Sequence, residues 1–259
     1  MVVEVKIHLT RRAELAIITI DAPPLNLYAL DLDAEFHDAL DELGDARALL
    51  VNASGRVVSG GVDVSLFAAQ EYRQDAQALF DRMLLLPQRL ATLPIPTVFA
   101  AHALCLTWAF ELAVACDLIV AAQSARFGLV EKVVGLTPTM GGTQRLAARA
   151  GVGRAKEFVM TGDLYDAATL ERWNVVNRVF PDEGFAAAAE HFASSLAVGP
   201  TRAHHATKQV LAHFENGGVP EADAHVTTIA SALFETEDLP GAVHSFLTDG
   251  PGRATFTGR

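Results

Sequence analysis

The sequence has few cysteines and few basic residues, and both shortages exclude classes of protein. It contains two cysteines, Cys105 and Cys116, and each stands in apolar sequence. We expect buried thiols rather than a disulfide, as is typical of a reducing compartment. The 20 lysines and arginines stand against 31 acidic residues, so the formal net charge is −11. This balance argues against a general nucleic-acid-binding protein, because such proteins are usually basic.

Long apolar runs without charge are also missing. The most apolar region, residues 98–122, contains His102, Glu111 and Asp117. Two acids within a bilayer span would be unfavourable, so we expect no transmembrane helix and no membrane partner. Residues 1–9 alternate in polarity and lack the apolar centre of a signal peptide, which predicts a strand and a cytoplasmic protein.

Several familiar functional signatures do not occur in the sequence. There is no Gly-x-Ser-x-Gly motif, and no glycine-rich segment ends in the Gly-Lys-Ser/Thr of a phosphate loop. No spaced cluster of cysteine and histidine indicates zinc. His204 and His205 are adjacent, so they point to different faces of a helix and are expected to be surface residues. We therefore expect no metal site.

The apolar residues that are present suffice for one large α/β domain. The chain has 259 residues, of which 51% are hydrophobic, and this excludes disordered and collagen-like proteins. Pro87 is expected to kink or break the helical pattern over residues 67–93. The alternation of strand and helix patterns favours an α/β fold with parallel strands. Strands are predicted at 15–20, 48–53, 97–101 and 118–122, and helices at 31–43, 67–93 and 108–116.

The chain after about residue 200 has a different pattern. Strand signals fade, residues 204–214 and 226–234 have helical patterns, and the last ten residues are irregular. We therefore predict a core domain over residues 1–199 and a C-terminal helical region over residues 200–259. An apolar stripe in this region is expected to form an oligomer interface or to pack on the chain's own core. It consists of Val226, Ile229, Leu233 and Phe234.

Two windows could present backbone N–H groups to a negatively charged oxygen. In Ser59-Gly60-Gly61-Val62-Asp63, the adjacent glycines permit a sharp turn with bare N–H groups. An ordinary strand-to-helix turn with Asp63 as the N-cap is an equal alternative. In the second window, Thr107 is placed to cap a helix that begins at Trp108. The N–H groups of a first helical turn are unpaired and favour negative charge.

Two glutamates are candidates for acid–base chemistry. Glu111 follows Trp108 by three residues on the same helix face, and its apolar surroundings are expected to raise the pKa of its carboxyl group. A helix-capping role is the alternative. Glu131 ends the window Phe127-Gly128-Leu129-Val130-Glu131 and precedes a loop with Gly141 and Gly142. By itself Glu131 could equally be a solvated charge.

Taken in order and at these spacings, the windows resemble the crotonase superfamily, that is, the enoyl-CoA hydratase/isomerase family. The resemblance covers nearly the whole chain. It implies a crotonase-like α/β spiral of ββα units followed by a C-terminal helical region, and homotrimers that often pair into homohexamers. It also implies an acyl-CoA thioester substrate, with no metal or redox cofactor. Further matching segments are Pro24-Leu25-Asn26, Pro96 to Asp117, Gly141 to Leu146, Thr161-Gly162, Lys208 and Phe256-Thr257-Gly258-Arg259.

The resemblance also assigns roles to the candidate residues. The backbone N–H groups of Val62 and Trp108 would form the oxyanion hole, and Glu111 and Glu131 would be catalytic. Arg56 and Lys208 are placed where a positively charged side chain could contact a phosphate group of the substrate. Ordinary solvent-exposed charges are an equal alternative for both residues. The candidates for substrate binding are thus Gly60, Gly61, Asp63 and the two cations, Arg56 and Lys208.

The presence of both glutamates favours hydration of a trans-2-enoyl-CoA. A Δ3,Δ2-enoyl-CoA isomerase that uses mainly Glu131, a tailoring enzyme for an unusual thioester and a non-catalytic acyl-CoA-binding homologue are the alternatives. The chain departs from the family at Thr107-Trp108-Ala109, where three glycines are usual. An indole at this point is expected to narrow or redirect the acyl pocket.

Overall fold

The computed structural model describes residues 6–259, which contain nine strands in two sheets. The four strands predicted between residues 15 and 122 are confirmed with the same bounds. The strand predicted at the N-terminus begins at Ile7, and residues 1–5 of that prediction lie outside the described residues. The strands are β1 (Ile7–Arg12), β2 (Leu15–Ile20), β3 (Ala48–Ala53), β4 (Thr97–Ala101), β5 (Leu104–Leu106), β6 (Leu118–Ala122), β7 (Arg126–Gly128), β8 (Tyr165–Asp166) and β9 (Arg178–Phe180).

Helices make up most of the remaining chain. In the part that the structure describes, none of them has the length and apolar character needed to cross a bilayer. Two short 3-10 helices occupy Glu131–Val134 and Ala232–Glu235. The α-helices are α1 (Leu30–Asp41), α2 (Ser65–Ala68), α3 (Arg73–Thr92), α4 (Trp108–Ala115), α5 (Gly142–Ala150), α6 (Val152–Thr161), α7 (Ala167–Arg172), α8 (Phe185–Ala197), α9 (Thr201–Ser231) and α10 (Asp238–Asp249).

The chain forms the two sheets by repeating one order of elements, namely strand, strand and helix. The larger sheet has the order β1-β2-β3-β4-β6-β9, in which only the β1–β2 pair is antiparallel, and the smaller sheet has the order β5-β7-β8. β4 and β6 each lie in the larger sheet, and each is followed by a strand of the smaller sheet and then by helix. The predicted α/β fold with a spiral of ββα units is therefore confirmed.

The central strands are buried on both faces, which explains their almost continuous apolar sequence. Along β3, Leu49 and Val51 face the main core, whereas Leu50 faces the other side of the sheet. That second side is covered by α8 through Phe185 and Ala189. Because both faces are covered by protein, the larger sheet is a rigid support for the loops at its ends.

Helix α4 crosses the middle of the molecule. All eight of its residues are buried, and it packs against α3 and α5. A helix that is apolar around its whole circumference is suited to a position with no solvent face. Glu111 is the one acidic residue of this helix, so the fold carries a carboxyl group into the core.

The structure corrects the prediction that Pro87 interrupts a helix. α3 continues through Pro87, whose ring is buried beside Leu86 and Leu90. The helical pattern over residues 67–93 is interrupted instead at residues 69–72. Proline removes one backbone hydrogen bond from a helix, and burial of the apolar face of α3 offsets that loss.

The C-terminal region is helical, as predicted, and its last ten residues are irregular. α9 contains the predicted pattern at 204–214 and most of that at 226–234, whose last residues lie in the 3-10 helix Ala232–Glu235. The backbone of α9 is kinked at Gly218. Arg47 ties this region to the core by donating hydrogen bonds to Thr201 Oγ1 at 2.9 Å and to the carbonyl oxygens of Gly199 and Phe256 at 2.6 and 2.8 Å. A domain boundary between residues 199 and 200 stays a prediction.

Candidate active site

The window Ser59–Asp63, with its two glycines, lies beside the window that begins at Thr107. Ser59 and Cys105 form a parallel bridge, and a Cβ atom built on Gly61 would lie 3.3 Å from Thr107 Oγ1. The residues that precede Val62 and Trp108 are therefore in contact. Within the described residues, neither the Val62 N–H nor the Trp108 N–H donates to a protein acceptor. Two neighbouring N–H groups without protein partners are an arrangement that can bind an oxyanion.

A constrained turn at Thr107 directs the start of α4. Thr107 has φ 47° and ψ −119°, a left-handed conformation that is unfavourable for a β-branched residue. Its backbone is held at both ends, since its N–H donates to Gly128 O at 2.9 Å and its carbonyl accepts from Glu111 N at 2.8 Å. The side chain makes no capping hydrogen bond, contrary to the capping role suggested by the sequence.

The glycine pair forms the other side of this arrangement. Gly61 has φ +123°, and a Cβ atom built on it would lie 3.3 Å from Thr107 Oγ1. Glycine is therefore required both by the backbone conformation and by the close approach of Thr107. Asp63 is not the N-cap of α2, because that position is held by Val64, which makes no capping hydrogen bond with its side chain. Asp63 Oδ1 instead accepts a hydrogen bond from Ser65 N at 3.0 Å.

The indole of Trp108 points into the core behind the two loops. It is fully buried, meets Tyr28 edge-on at 5.8 Å, and its Nε1 donates to Ser59 Oγ at 2.7 Å and to Asn26 O at 3.2 Å. Ser59 Oγ also accepts from Gly61 N at 3.0 Å. The indole thus links the loop of Val62 to the start of α4. Its narrowing or redirecting of the acyl pocket stays a prediction.

Glu111 is held by a loop that is distant in the sequence. Its side chain is only 2% exposed, and Oε2 accepts hydrogen bonds from Met140 N and Gly142 N, both at 2.8 Å. A Cβ atom on Gly142 would lie 2.7 Å from Glu111 Cγ, so glycine permits this approach. Burial, and secondarily the charge of Glu131, raise the pKa of Glu111 to about 8.

Glu131 belongs to the same site. It begins the 3-10 helix at Glu131–Val134, and its Oε2 is buried with no hydrogen-bond partner among the described residues. Burial raises the pKa of Glu131 to about 7. The alternative of a solvated charge is therefore wrong for this residue. Two carboxyl groups that titrate near neutral pH can accept and donate protons under physiological conditions.

Two cavities are lined by residues near Val62 and Glu131 in the sequence, and neither lining includes Val62, Glu111 or Glu131 themselves. One, of about 350 Å³, is mainly apolar and reaches the 3-10 helix that begins at Glu131; its lining includes Phe67, Tyr72, Phe80, Val134 and Leu136. Trp108 is not part of that lining. The other, of about 260 Å³, adjoins the glycine loop; its lining includes Lys6, Pro24, Leu25 and Asp63.

The two predicted phosphate contacts have different positions. Arg56 is exposed in the loop that precedes the glycine pair. Lys208 is not brought to this site in the same chain, because its Nζ donates to Asp117 Oδ2 at 2.8 Å and to Ile95 O at 3.1 Å. Ile95 and Asp117 precede β4 and β6, so Lys208 lies at the amino-terminal edge of the parallel strands. The glycine loop follows the carboxyl end of β3.

Sequence reasoning missed two residues that hold these loops in place. Asn26 donates from Nδ2 to the carbonyl oxygens of residues 54, 57 and 58, and its Oδ1 accepts from Ala22 N at 2.7 Å. Ser59 connects Asn26, Gly61 and Trp108. Their only sequence signal was membership in the matching segments, since neither residue is adjacent to its partners along the chain.

Comparison with known proteins gives a consistent family. The family model for enoyl-CoA hydratase/isomerase matches residues 10–252. A Rhodobacter capsulatus protein named as a probable enoyl-CoA hydratase is 30% identical over 251 residues, 95% of either chain. The 2,3-dehydroadipyl-CoA hydratase of Escherichia coli is 30% identical over 198 residues, 76% of either chain.

The fold agrees with this match. The crystal structure of an enoyl-CoA hydratase subunit I from Geobacillus kaustophilus superimposes with a TM-score of 0.90 at 28% identity, over 98% of this chain and 99% of that one. The sequence match, the fold and the paired loops with their two glutamates are mutually consistent. The chain therefore belongs to the enoyl-CoA hydratase/isomerase family.

Proposed function

We propose that the protein is an enoyl-CoA hydratase, which adds water across the double bond of a trans-2-enoyl-CoA. The observation that carries this proposal is a pair of carboxyl groups, the buried Glu111 and the half-buried Glu131, together with two free backbone N–H groups. Hydration needs a proton acceptor for water and a proton donor for carbon. A pair of carboxyl groups with raised pKa values supplies both.

The backbone N–H groups of Val62 and Trp108 would bind the thioester oxygen. Negative charge develops on this oxygen when the water oxygen bonds to C3 and the C2–C3 π electrons move toward the carbonyl. Hydrogen bonds to that charge lower the barrier, and one such donor contributes roughly 10²–10³ in rate. The two N–H groups need no rearrangement to do this, because the strained Thr107 turn and the indole of Trp108 already fix them.

Proton transfer is assigned to the two glutamates as a pair. Both pKa values are raised toward neutral pH, so one carboxyl group of the pair can be ionised while the other is protonated. The carboxylate takes a proton from water while the C3–O bond forms, and the carboxylic acid donates a proton to C2. The pair again holds one proton afterwards. The reaction therefore requires no metal and no redox cofactor.

The two cavities provide places for the ends of the substrate. The apolar 350 Å³ cavity beside Phe67 and Leu136 is suited to an acyl chain. The 260 Å³ cavity beside Asp63 and Lys6 would receive the proximal part of CoA, with the exposed Arg56 available for a phosphate. Gly60 and Gly61 would let the thioester approach the backbone closely. Lys208 remains a proposed phosphate contact for which this chain's own geometry gives no support.

We also propose that the chain acts in the cytoplasm as a homotrimer or a pair of trimers. Large apolar side chains are exposed on its C-terminal helices, and covering them between copies would stabilise an assembly. They include Phe214, Val219, Phe234, Phe246 and Leu247.

An isomerase is the second candidate, and a difference between the glutamates favours it. Glu111 Oε2 is held by two backbone N–H groups, whereas Glu131 Oε2 has no partner among the described residues. A carboxylate with an unpaired oxygen can take a proton from C2 of a 3-enoyl-CoA and deliver it to C4, while the double bond moves from C3–C4 to C2–C3. In this reaction Glu131 would act alone and Glu111 would be structural.

The two candidates are separated by assaying hydration of crotonyl-CoA and isomerisation of a 3-enoyl-CoA with the same preparations. For a hydratase, Glu111→Gln and Glu131→Gln each lower the hydration rate by at least about 10²-fold. If Glu131→Gln lowers the activity and Glu111→Gln does not, the result supports the isomerase. Thioester binding without turnover of either substrate supports a non-catalytic acyl-CoA-binding protein and overturns the enzyme proposal.

A further inference from the structure

The kink in α9 brings together three side chains that can bind a metal. Gly218, with φ 71° and ψ −166°, divides the helix. His213 lies before the kink, and Glu221 and His225 lie after it, four residues apart on one helix face. All three side chains are partly open to solvent. The cluster is separate from Val62, Trp108, Glu111 and Glu131, none of which belongs to α9. Lys208, the proposed phosphate contact, is also on α9 but pairs with Asp117.

The distances in this cluster match those between the ligands of one metal ion. Glu221 Oε1 is 3.4 Å from His213 Nδ1 and 3.0 Å from His225 Nε2, and one ligand atom from each side chain lies within 4.8 Å of the others. Zinc binds nitrogen and oxygen at roughly 2.0–2.2 Å, so neighbouring ligands of a tetrahedral site are about 3.3–3.5 Å apart. The two imidazole rings are stacked at 3.7 Å and 15°, which brings both rings to the same carboxylate.

The backbone at the kink fixes the position of Glu221. A Cβ atom built on Gly217 would lie 2.6 Å from Glu221 Cβ and 3.0 Å from Glu221 Cγ. These atoms lie near the start of the side chain, so they cannot move away without moving the helix. The missing side chain at Gly217 therefore allows Glu221 to pack against the kink, between the two histidines.

We propose that His213, Glu221 and His225 bind one first-row transition-metal dication, for which Zn²⁺ is the best-matched ion. Two imidazoles and one carboxylate are a donor set that zinc uses, and the fourth position remains open to water. The three ligands come from both sides of Gly218. The bound ion would therefore fix the angle between the two halves of α9 and stabilise the C-terminal region.

The test uses the full chain without a histidine tag, after treatment with a chelator. Calorimetric titration with Zn²⁺ should give one site per chain, and Co²⁺ should give the visible absorption of a tetrahedral complex. His213→Ala, Glu221→Gln and His225→Ala should each weaken Zn²⁺ binding at least about 10-fold, in line with the loss of one ligand. The matched control is His244→Ala, an exposed histidine of α10, which should leave the affinity unchanged.

Gly217→Ala provides a test that removes no ligand. The new methyl group displaces Glu221, so zinc affinity should fall about as much as in the ligand variants. Zinc should also raise the melting temperature of the unaltered protein and not that of His213→Ala. Absence of binding overturns the proposal. Equal affinity in the three ligand variants and the unaltered protein overturns it as well, since zinc would then be bound elsewhere and the cluster would be only a hydrogen-bonded His–Glu–His contact.

Discussion

Glu111 is buried in a way that opposes its own ionisation. Its two backbone hydrogen bonds favour the carboxylate, whereas burial and the neighbouring Glu131 favour the neutral acid. Burial is the largest of these influences, so the pKa of Glu111 rises from an ordinary 4.5 to about 8. A buried carboxyl group with a raised pKa is suited to proton transfer near neutral pH, but its burial destabilises the folded protein. This combination is common at catalytic sites.

This shift predicts how stability depends on pH. The folded protein keeps the proton on Glu111 when the unfolded chain has lost it, because the folded pKa is about 8 and the ordinary value is 4.5. The stabilisation from this proton is complete below about pH 4.5 and is lost as the pH rises through about 8. Glu111→Gln removes the titration. The free energy of unfolding should be measured in urea at pH 5 and pH 8. Compared with the unaltered protein, the variant should be relatively more stable at pH 8 than at pH 5. A difference that is independent of pH would contradict the raised pKa.

Trp108 is expected to act as a positioning residue through its indole N–H. Trp108→Phe keeps the apolar ring and the backbone N–H but leaves Ser59 Oγ without the donor at 2.7 Å. We expect a loss of about 1 kcal/mol in unfolding free energy. We also expect a fall of about 10-fold in kcat with little change in KM, because a small displacement of the oxyanion donors affects the transition state most.

The matched control for that variant is Trp173→Phe. Trp173 packs against Tyr165 and under the guanidinium of Arg154, away from both loops. Its replacement should leave kcat unchanged. If both variants lower kcat equally, Trp108 has no special connection to the reaction, and the hydrogen bond to Ser59 is structural only.

Helix α4 and the start of α5 act together to hold the first glutamate. α4 carries Glu111, and the turn before α5 supplies the N–H groups of Met140 and Gly142 that bind it. The contact depends on a close approach of the two elements, which Gly142 permits. The geometry of the site is thus a property of the packing between these elements and not of either one.

Gly142→Ala tests this packing. Gly142 is the first residue of α5 and has no positive φ, so alanine suits its backbone. The new Cβ atom would nevertheless lie 2.7 Å from Glu111 Cγ. We expect a loss of about 1–3 kcal/mol in unfolding free energy from overpacking, and a fall in kcat/KM from the displaced carboxyl group.

Gly153→Ala in α6 is the control for that variant. A Cβ atom at Gly153 meets nothing within 4 Å, so this change should stabilise the helix by up to about 1 kcal/mol and leave kcat/KM unchanged. Normal activity of Gly142→Ala would mean that Glu111 tolerates displacement, which would favour the isomerase over the hydratase.

The molecule as a whole leaves an apolar surface on its C-terminal helices. Phe234 is 74% exposed, and the predicted stripe residues Val226, Ile229 and Leu233 are only partly buried. An apolar surface of this kind usually marks an interface. The interface between copies therefore remains the preferred interpretation, and packing of the stripe on the chain's own core is at most partial.

Light scattering at micromolar concentration should give three or six times the chain mass of 27.6 kDa. Phe234→Ser should shift the distribution toward smaller species, because it removes a large apolar side chain from the interface. Val152→Ser, at an exposed apolar residue outside the C-terminal region, should leave the mass unchanged. A monomeric mass for the unaltered protein would show that these helices do not mediate assembly.

Local sequence was enough to predict the class of fold and five of the nine strands among the described residues, whereas the short strands β5, β7, β8 and β9 were not predicted. The runs at residues 15–20, 48–53, 97–101 and 118–122 are short, apolar and bounded by turn-forming or helical segments, so their structure follows from neighbouring residues. The order and spacing of the glycine and glutamate windows were enough to identify the family. The roles that they assign to the site residues stay predictions.

Tertiary structure decided the features that depend on residues far apart in the chain. The indole of Trp108 turns away from the cavity because Ser59, 49 residues earlier, accepts its N–H. Lys208 is paired with Asp117 across 91 residues. Pro87 stays inside a helix because packing of α3 outweighs one lost hydrogen bond. Periodicity and motif spacing describe neighbours along the chain, whereas burial, partners and the pKa of Glu111 are set by contacts that exist only after folding.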